Sequence, residues 1–348
     1  MSRTSKPSTF AGIDVGGKEL VVALVRGRDK PLTLTIPNTP EGHKTVIRAL
    51  RKRAGTARVV LEATGAFHLD LALALSKSAG VELMVANPLA ARRFAQAQMR
   101  RAKTDRVDAA VLLEFAQRMP LERWTAPEGP KLNLRTITRH LASLIADQTA
   151  LKNRLAASRT TNTTPAFVIA DLEEQLASIA ARIEKCQAEA RRLADAEPDL
   201  QQALTSLMSA PGIGERSALL LLGELGVLDT TMTPDQVVGH AGLDPRPVQS
   251  GMRGNSPMAR KISKVGNARI RAALYMVALS ASRGTGPVAA FYARLKEKKK
   301  PAFVAHVAVM RRMLRVAWVL LVRKVTWDGS MFAPRLHARE QTIPSPAP

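Results

Sequence analysis

The sequence predicts a mixed α/β domain followed by an α-helical region that contains a long helical hairpin. Short runs rich in Val, Ile and Leu alternate with amphipathic segments up to about residue 118. Beyond residue 131, apolar residues recur at helical spacing, and a Pro-marked linker at 119–130 separates the two patterns. A chain of 348 residues is long enough for two or three domains with cores of their own.

The first region opens with a predicted β-hairpin. The β-prone run 10–24 is broken by Gly16 and Gly17, and a second short run covers residues 32–36. Helix, strand, helix and strand are predicted next, over 41–53, 57–62, 67–78 and 81–86, and then a helical segment over 89–118 that breaks near Lys103-Thr104. An antiparallel start followed by alternating helices and strands predicts a mixed sheet covered by helices.

The second region begins with two long predicted helices. Leu141, Leu144, Leu151 and Leu155 follow helical spacing, a second set of apolar residues does so over 172–183, and a polar stretch at 160–165 separates the two. Two amphipathic helices joined by a polar turn predict a helical hairpin or coiled coil, which serves as a spacer or an oligomerisation arm.

A tight glycine turn, Pro211-Gly212-Ile213-Gly214, lies between the next two helical runs. Such a helix-hairpin-helix directs backbone N–H groups at the start of the second helix, where a phosphate can dock. An ordinary turn between packed helices is the alternative interpretation of Gly212 and Gly214.

The charge balance indicates a polyanionic partner. The chain has 52 Lys and Arg against 29 Asp and Glu, a formal net charge of +23.

The hydrophobic run 303–322 is interrupted by Arg311, Arg312 and Arg315, so we expect a helix that does not cross a membrane. One cysteine, Cys186, excludes an intramolecular disulfide framework, and no signal peptide is recognised, so a cytoplasmic protein that binds nucleic acid is expected.

The strongest basic segment is 246–300. It contains 13 Lys or Arg and one acidic residue, Glu297. A long run of like charge is often only a solvated face. This one brackets a Gly-rich loop, Gln249 to Gly254, which solvation alone does not require, so phosphate contacts are expected here.

Four carboxylates have the placement that a metal-dependent phosphoryl-transfer site needs. Asp14 and Glu62 lie in apolar β-prone runs, and Asp105 and Asp108 are three residues apart, on one face of a predicted helix. Clustered carboxylates favour Mg²⁺ or Mn²⁺. The alternative roles are a strand end for Asp14, a helix cap for Glu62, and salt bridges of the two helical acids with Lys103 and Arg106.

An ordered set of motifs resembles the bacterial insertion-sequence transposases that have a RuvC-like DEDD catalytic domain, a second C-terminal transposase domain and a structured bridge RNA as guide. The resemblance spans nearly the whole chain. Its motifs are Gly12-Ile13-Asp14-Val15, Leu61-Glu62-Ala63-Thr64-Gly65, Asn87-Pro88, Ala102 to Ala109, Pro211 to Gly214, Gly239 to Leu243, Ser250-Gly251 and Ile262 to Asn267.

The resemblance implies that Asp14, Glu62, Asp105 and Asp108 form the tetrad that holds Mg²⁺ or Mn²⁺. It also implies that Ser250 is a nucleophile that becomes transiently linked to a DNA end. Ser256 and Ser263 are competing serines, and Ser263 is interpreted as a helix N-cap. The expected nucleic-acid contacts are Lys103, Arg106, Gly212, Gly214, Arg246, Arg253, Arg260, Lys261, Lys264 and Arg269.

The resemblance also predicts the organisation of the chain. A RuvC-like, RNase H-like domain would cover 1–125, the helical hairpin 126–198, the C-terminal transposase domain 199–335, and a tail 336–348. The expected partners are donor and target DNA, the bridge RNA, and further copies of the chain in a homodimer or homotetramer, where the tetrad of one subunit meets the serine of another. No membrane partner is expected.

Two alternatives remain open from the residues alone. A structure-selective nuclease, similar to a Holliday-junction resolvase, would use the same carboxylates with water and would not need Ser250. A non-catalytic protein that binds DNA or RNA would tolerate the loss of Asp14.

Overall fold

The computed structural model describes residues 7–63, 65, 67–99, 104–120, 123–245 and 262–332. The chain divides into two compact units, Met1–Ala126 and Pro127–Pro348. The predicted division into a separate hairpin, 126–198, and a C-terminal domain, 199–335, stays a prediction.

The first unit contains a five-stranded mixed sheet in the order β3-β2-β1-β4-β5. The strands are β1 Thr9–Val15, β2 Glu19–Arg26, β3 Leu32–Pro37, β4 Ala57–Glu62 and β5 Val81–Ala86. The first three pair antiparallel, whereas β1 with β4 and β4 with β5 are parallel. The predicted opening hairpin and mixed sheet are confirmed, and the architecture is compatible with a RuvC-like fold.

Four helices connect and cover these strands: α1 Pro40–Leu50, α2 Leu69–Ser76, α3 Pro88–Ala97 and α4 Asp105–Arg118. Local sequence explains where they begin, because the side chains of Thr39, Asn87 and Thr104 accept hydrogen bonds from the first-turn amides of α1, α3 and α4. The predicted interruption of the 89–118 helical segment is confirmed, since α3 and α4 are separate helices.

The sheet has two buried faces, because side chains alternate along each strand. On one face Ala11, Ile13 and Val15 pack with α1 and α2. On the other, Phe10 packs beside two clusters that contain residues of α4. Asp14 follows Phe10 and Gly12 in the alternation and therefore belongs to the face that α4 covers.

The described part of the second unit is α-helical apart from one isolated bridge and a short 3-10 turn, Gly329–Phe332. Its helices are α5 Gly129–Thr160, α6 Ala166–Asp195, α7 Pro198–Met208, α8 Glu215–Leu225, α9 Pro234–His240, α10 Ala268–Arg283, α11 Pro287–Glu297 and α12 Ala302–Arg323. The two long predicted helices appear as α5 and α6. They pack through one apolar stripe each, formed by Leu141, Leu144, Leu151 and Leu155 of α5 and by Leu172, Ile179 and Ile183 of α6.

The core of this unit forms around α8, α10 and α12. Trp318 of α12 is only 2% exposed, and its indole N–H donates to the backbone oxygen of Met232 at 2.8 Å. The segment 303–322 is helical, as predicted. Among the described helices, none is both long enough and apolar enough to cross a membrane.

Candidate active site

Two of the predicted acidic residues, Asp14 and Glu62, lie side by side near the ends of the inner strands β1 and β4. The parallel register of β1 and β4 pairs Ile13 with Leu61, and Asp14 and Glu62 are the next residues along the two strands. In a parallel pair, residues in register point to the same face. Both acidic residues are half-buried. The fold therefore brings these two carboxylates to the same strand ends and to the same face.

Helix α4 lies directly against β1 because residue 12 has no side chain. A Cβ atom on Gly12 would come within 2.1 Å of the Leu113 amide nitrogen and 2.4 Å of the Ala109 carbonyl oxygen. No Cβ can occupy that space, so strand and helix touch backbone to backbone. Ala109 follows Asp108 immediately, so the acidic first turn of α4 directly precedes this contact.

The first turn of α4 is a capped helix N-terminus. The Thr104 hydroxyl accepts from the Val107 amide at 3.3 Å, and the Asp108 amide donates to the Thr104 carbonyl at 2.9 Å. Asp105 is exposed and Asp108 is half-buried. Carboxylates are favoured here by the partial positive charge of the helix start.

In the part of the chain that the structure describes, these acidic residues do not form a complete set of metal ligands. Within the described residues, no group of three or more His, Cys, Asp or Glu side chains has the geometry to hold a metal ion. The set is nevertheless all carboxylate, which is the ligand chemistry that Mg²⁺ and Mn²⁺ prefer. Arg106 is exposed on the same turn, and Lys103 lies outside the described residues.

The predicted nucleophile, Ser250, also lies outside the described residues, as do Arg246, Arg253, Ser256, Arg260 and Lys261. The two flanks of this segment are described, and they meet. Pro245 and Ile262 form an antiparallel bridge, and the Ser263 amide donates to the Asp244 carbonyl at 2.9 Å. The residues that directly precede and follow 246–261 are therefore neighbours in the fold.

The interpretation of Ser263 as a helix N-cap is wrong. Helix α10 begins at Ala268, and its N-cap is Asn267, whose side-chain oxygen accepts from the amides of Arg269 and Ile270. The Ser263 hydroxyl instead donates to Asp244 at 2.5 Å and accepts from the Val265 amide. It stabilises the flank of the 246–261 segment rather than a helix.

The predicted glycine turn joins α7 to α8. Gly212 has φ +79, and a Cβ there would lie 2.7 Å from the Val277 carbonyl, so close packing against α10 explains this glycine. Gly214 is the N-cap of α8, with open space around it. The first residue of α8 is Glu215, which accepts from Gln187 at 3.3 Å. The phosphate-binding role of this turn stays a prediction.

Besides Arg106, Gly212 and Gly214, the described residues include two more of the predicted nucleic-acid contacts. Lys264 is exposed with a left-handed backbone, φ +53, and Arg269 is exposed in the first turn of α10. Both residues follow the 246–261 segment closely in sequence, and both add positive charge to the part of the chain that comes after it.

Sequence reasoning missed Glu224, a charged residue at the centre of the second unit. Its side chain is 3% exposed, and it accepts from Arg139 at 2.7 and 3.0 Å and from the Asn267 amide group at 2.7 Å. Burial opposes ionisation, but these hydrogen bonds outweigh it, so the pKa of Glu224 lies below its usual range.

The sequence contains a pattern that could have identified this residue. Glu224 stands in Leu-Leu-Leu-Leu-Gly-Glu-Leu, an acid in an apolar run, which is the same signal that identified Asp14 and Glu62. The hydrogen bonds of Glu224 connect α5 with the N-cap of α10, because Arg139 belongs to α5 and Asn267 is the N-cap of α10.

Comparison with known families identifies the class of protein. The family model DEDD_Tnp_IS110, described as "Transposase", matches residues 11–158. A second model, described as "Transposase IS116/IS110/IS902 family", matches residues 204–293. The two models together match about two thirds of the chain, and they name the same class.

Similarity to individual proteins extends over nearly the full length. The pilin gene-inverting proteins of Moraxella bovis and Moraxella lacunata are each 24% identical over 326 residues, which is 92% of this chain and 98% of theirs. The insertion element IS110 uncharacterized 43.6 kDa protein of Streptomyces coelicolor is 23% identical, over 97% of this chain and 98% of its own length. The chain belongs to the IS110 family of transposases, whose substrate is DNA and whose activity is DNA recombination.

Proposed function

We propose that this transposase cuts and rejoins DNA strands with the carboxylates Asp14, Glu62, Asp105 and Asp108 and the nucleophile Ser250. The observation that carries the proposal is the register of β1 and β4, which puts Asp14 and Glu62 at adjoining strand ends on one face. The backbone contact of Gly12 with α4, the helix whose first turn carries the other two acids, supports the same assignment.

The four carboxylates would hold Mg²⁺ or Mn²⁺. When bound, such ions stabilise the negative charge that develops on a phosphodiester during substitution. The chain itself would hold the carboxylate oxygens at the ends of β1 and β4, on the face of the sheet that α4 covers. The basic residues Lys103, Arg106, Lys264 and Arg269 would bind backbone phosphates and orient the strand.

Ser250 would carry the covalent step. Its hydroxyl oxygen forms a bond to the phosphorus, the phosphodiester P–O bond breaks, and the departing strand end leaves as a hydroxyl with the proton. A hydroxyl of another strand end then attacks the same phosphorus and releases the serine. No phosphodiester energy is lost to water, so strands can be rejoined without ATP.

The printed names of the relatives support strand exchange over simple cleavage. Two of them are named for inverting a pilin gene, and inversion requires that cut strands are rejoined. We extend this reaction class to the present chain, with donor and target DNA selected by a bridge RNA.

The proposal includes an oligomer, a homodimer or homotetramer in which subunits complete one another's sites. The long pair α5 and α6 supports this, because Phe167 near the start of α6 is 79% exposed and Val168 beside it is 38% exposed. Apolar side chains at the end of a helical pair are suited to contact with another subunit.

The test is formation of a protein–DNA adduct on a denaturing gel. Labelled duplex that spans an end of the element is incubated with the protein, Mg²⁺ and a transcript of the flanking noncoding DNA, and the shifted band is mapped by peptide sequencing. We expect an adduct on Ser250 that requires the divalent ion. Ser250→Ala should abolish the adduct and strand exchange while DNA binding is retained, and Ser256→Ala is the matched control.

The carboxylates are tested in the same assay. Asp14→Asn and Glu62→Gln should each abolish the adduct, because a neutral amide lacks the negative charge with which a carboxylate binds a divalent ion. The control is Glu82→Gln, since Glu82 lies near the opposite end of a parallel strand, where it pairs with Arg58 at 3.5 Å. Strand exchange by Ser250→Ala without any adduct would exclude the serine mechanism, and full activity of Asp14→Asn would exclude the carboxylate site.

A further inference from the structure

Four aromatic side chains form a ladder at one surface of the second unit. We call Tyr275, Tyr292, Phe303 and His306 the aromatic ladder. The Tyr292 and His306 rings stack at 4.6 Å between centroids, Tyr275 meets His306 edge-on at 6.1 Å, and Phe303 lies 6.3 Å from Tyr275. Three helices, α10, α11 and α12, contribute to it.

The ladder is buried at one end and exposed at the other. His306 is 8% exposed, whereas Tyr275 is 37% and Phe303 is 59% exposed, and Met276 beside them is 57% exposed. Burial lowers the pKa of His306, a backbone hydrogen bond with Ala302 raises it, and the charges of Arg283 and Lys296 lower it further, so that the pKa lies below its usual range. The buried His306 ring and the half-buried Tyr292 ring therefore pack beneath two exposed aromatic side chains.

The surroundings of the ladder are basic. Lys298, Lys299 and Lys300 are all exposed and precede Phe303 by three to five residues. Arg283 and Lys296 are close enough to act on His306. From residue 268 to residue 325 the chain has 13 Lys or Arg and one acidic residue, Glu297.

We propose that the aromatic ladder binds unpaired nucleotides, whose bases stack on Phe303 and Tyr275 while Lys298–Lys300 contact the adjoining phosphates. Exposed aromatic faces beside lysines are the combination that binds single strands. In a duplex each base face is covered by its neighbours, so a duplex cannot use these rings. A second copy of this surface is disfavoured, because two such basic segments repel each other.

The proposal goes beyond the strand exchange proposed above because it concerns binding alone. Its test uses the full-length protein, a single-stranded oligothymidylate of about 20 nucleotides and a duplex of equal length, with fluorescence anisotropy as the readout. Phe303→Ala should bind the single strand between about fivefold and about a hundredfold more weakly, which is the range for loss of one stacked base. Its affinity for the duplex should not change.

Two further variants separate stacking from charge. Leu32→Ala, which removes an exposed apolar side chain of β3 in the first unit, is the control and should bind both probes like wild type. Lys298→Gln, Lys299→Gln and Lys300→Gln combined should flatten the salt dependence of single-strand binding by about two in a log–log plot, whereas Phe303→Ala should leave this slope unchanged.

Photocrosslinking provides a direct readout of stacking. A single strand that carries 5-iodouracil should crosslink to a peptide containing Tyr275 or Phe303. Wild-type affinity of Phe303→Ala for the single strand, or equal losses on single strand and duplex, would overturn the proposal. A change in oligomeric state caused by Phe303→Ala would overturn it in favour of a protein interface. Because no cleavage is measured, any of these outcomes leaves the strand-exchange proposal intact.

Discussion

At the scale of single residues, the chain places acidic side chains in apolar surroundings for two different purposes. Asp14 and Glu62 are half-buried at neighbouring strand ends, where we propose that they hold the metal ion. Glu224 is 3% exposed and accepts two guanidinium hydrogen bonds and one amide hydrogen bond. These bonds hold its carboxylate inside the second unit, between α5 and α10, where its role is structural.

Loss of the Glu224 carboxylate should destabilise the second unit strongly. Glu224→Ala leaves Arg139 and Arg135 close together and partly buried without their counter-ion, and breaking a buried ion pair costs about 3–5 kcal/mol. Hydrogen–deuterium exchange of α8 and α10 peptides should be much faster than in wild type. The exposed pair Glu184–Arg216 is the control, and Glu184→Ala should change exchange little. Equal protection in both variants would contradict this account.

The same network predicts a pH dependence. The pKa of Glu224 is lower in the folded chain than its ordinary value of 4.5, so its stabilising contribution is complete above about pH 4.5. That contribution is lost as the pH falls through the folded-state pKa.

At the scale of secondary structure, the contact of β1 with α4 sets the position of two acidic residues. A single Cβ on Gly12 would overlap the helix backbone at Ala109 and Leu113. Gly12→Ala should therefore push α4 away, cost about 1–3 kcal/mol or more, and reduce adduct formation while the four carboxylates remain. The measurements are urea unfolding and the adduct assay.

The matched control for this substitution is Gly17→Ala in the same unit. Its Cβ would lie 3.5 Å from the Phe67 ring, an ordinary contact distance. It should unfold close to wild type. If Gly12→Ala were as stable as Gly17→Ala, the backbone contact would not hold α4 in place.

This contact shows how far the sequence could predict the site. Two features of the site are local patterns that could be deduced from neighbouring residues. They are the position of Asp14 and Glu62 in strands and the helical spacing of Asp105 and Asp108. The requirement for glycine at position 12 depends on a helix about a hundred residues later, and no local pattern encodes it. The pairing of Glu224 with Arg139 spans 85 residues and is equally non-local.

At the scale of the whole molecule, positive charge is distributed unevenly. Residues 127–245 contain 11 Lys or Arg against 15 Asp or Glu, whereas 246–300 contain 13 against one. The net charge of +23 therefore comes from the first unit and from the chain after residue 245. Phosphate contacts should follow the same distribution, because counterion release depends on local basic residues.

Charge neutralisation tests this distribution. Arg260→Gln, Lys261→Gln and Lys264→Gln combined should reduce the slope of log affinity against log salt for duplex DNA by about two to three. Lys152→Gln, Arg182→Gln and Lys185→Gln, which neutralise three exposed residues of α5 and α6, should leave the slope unchanged. Equal slopes for both triple variants would indicate that phosphate contacts lie elsewhere.

The bridge between Pro245 and Ile262 has a consequence for how this chain can change in length. Its two residues are antiparallel partners, so the two described ends of the 16-residue stretch between them lie next to each other. The entropy of closing such an insert grows only with the logarithm of its length. By this entropy alone, a change in the number of residues between Pro245 and Ile262 costs little stability, and a segment of another length from a related enzyme could be joined to the same two residues.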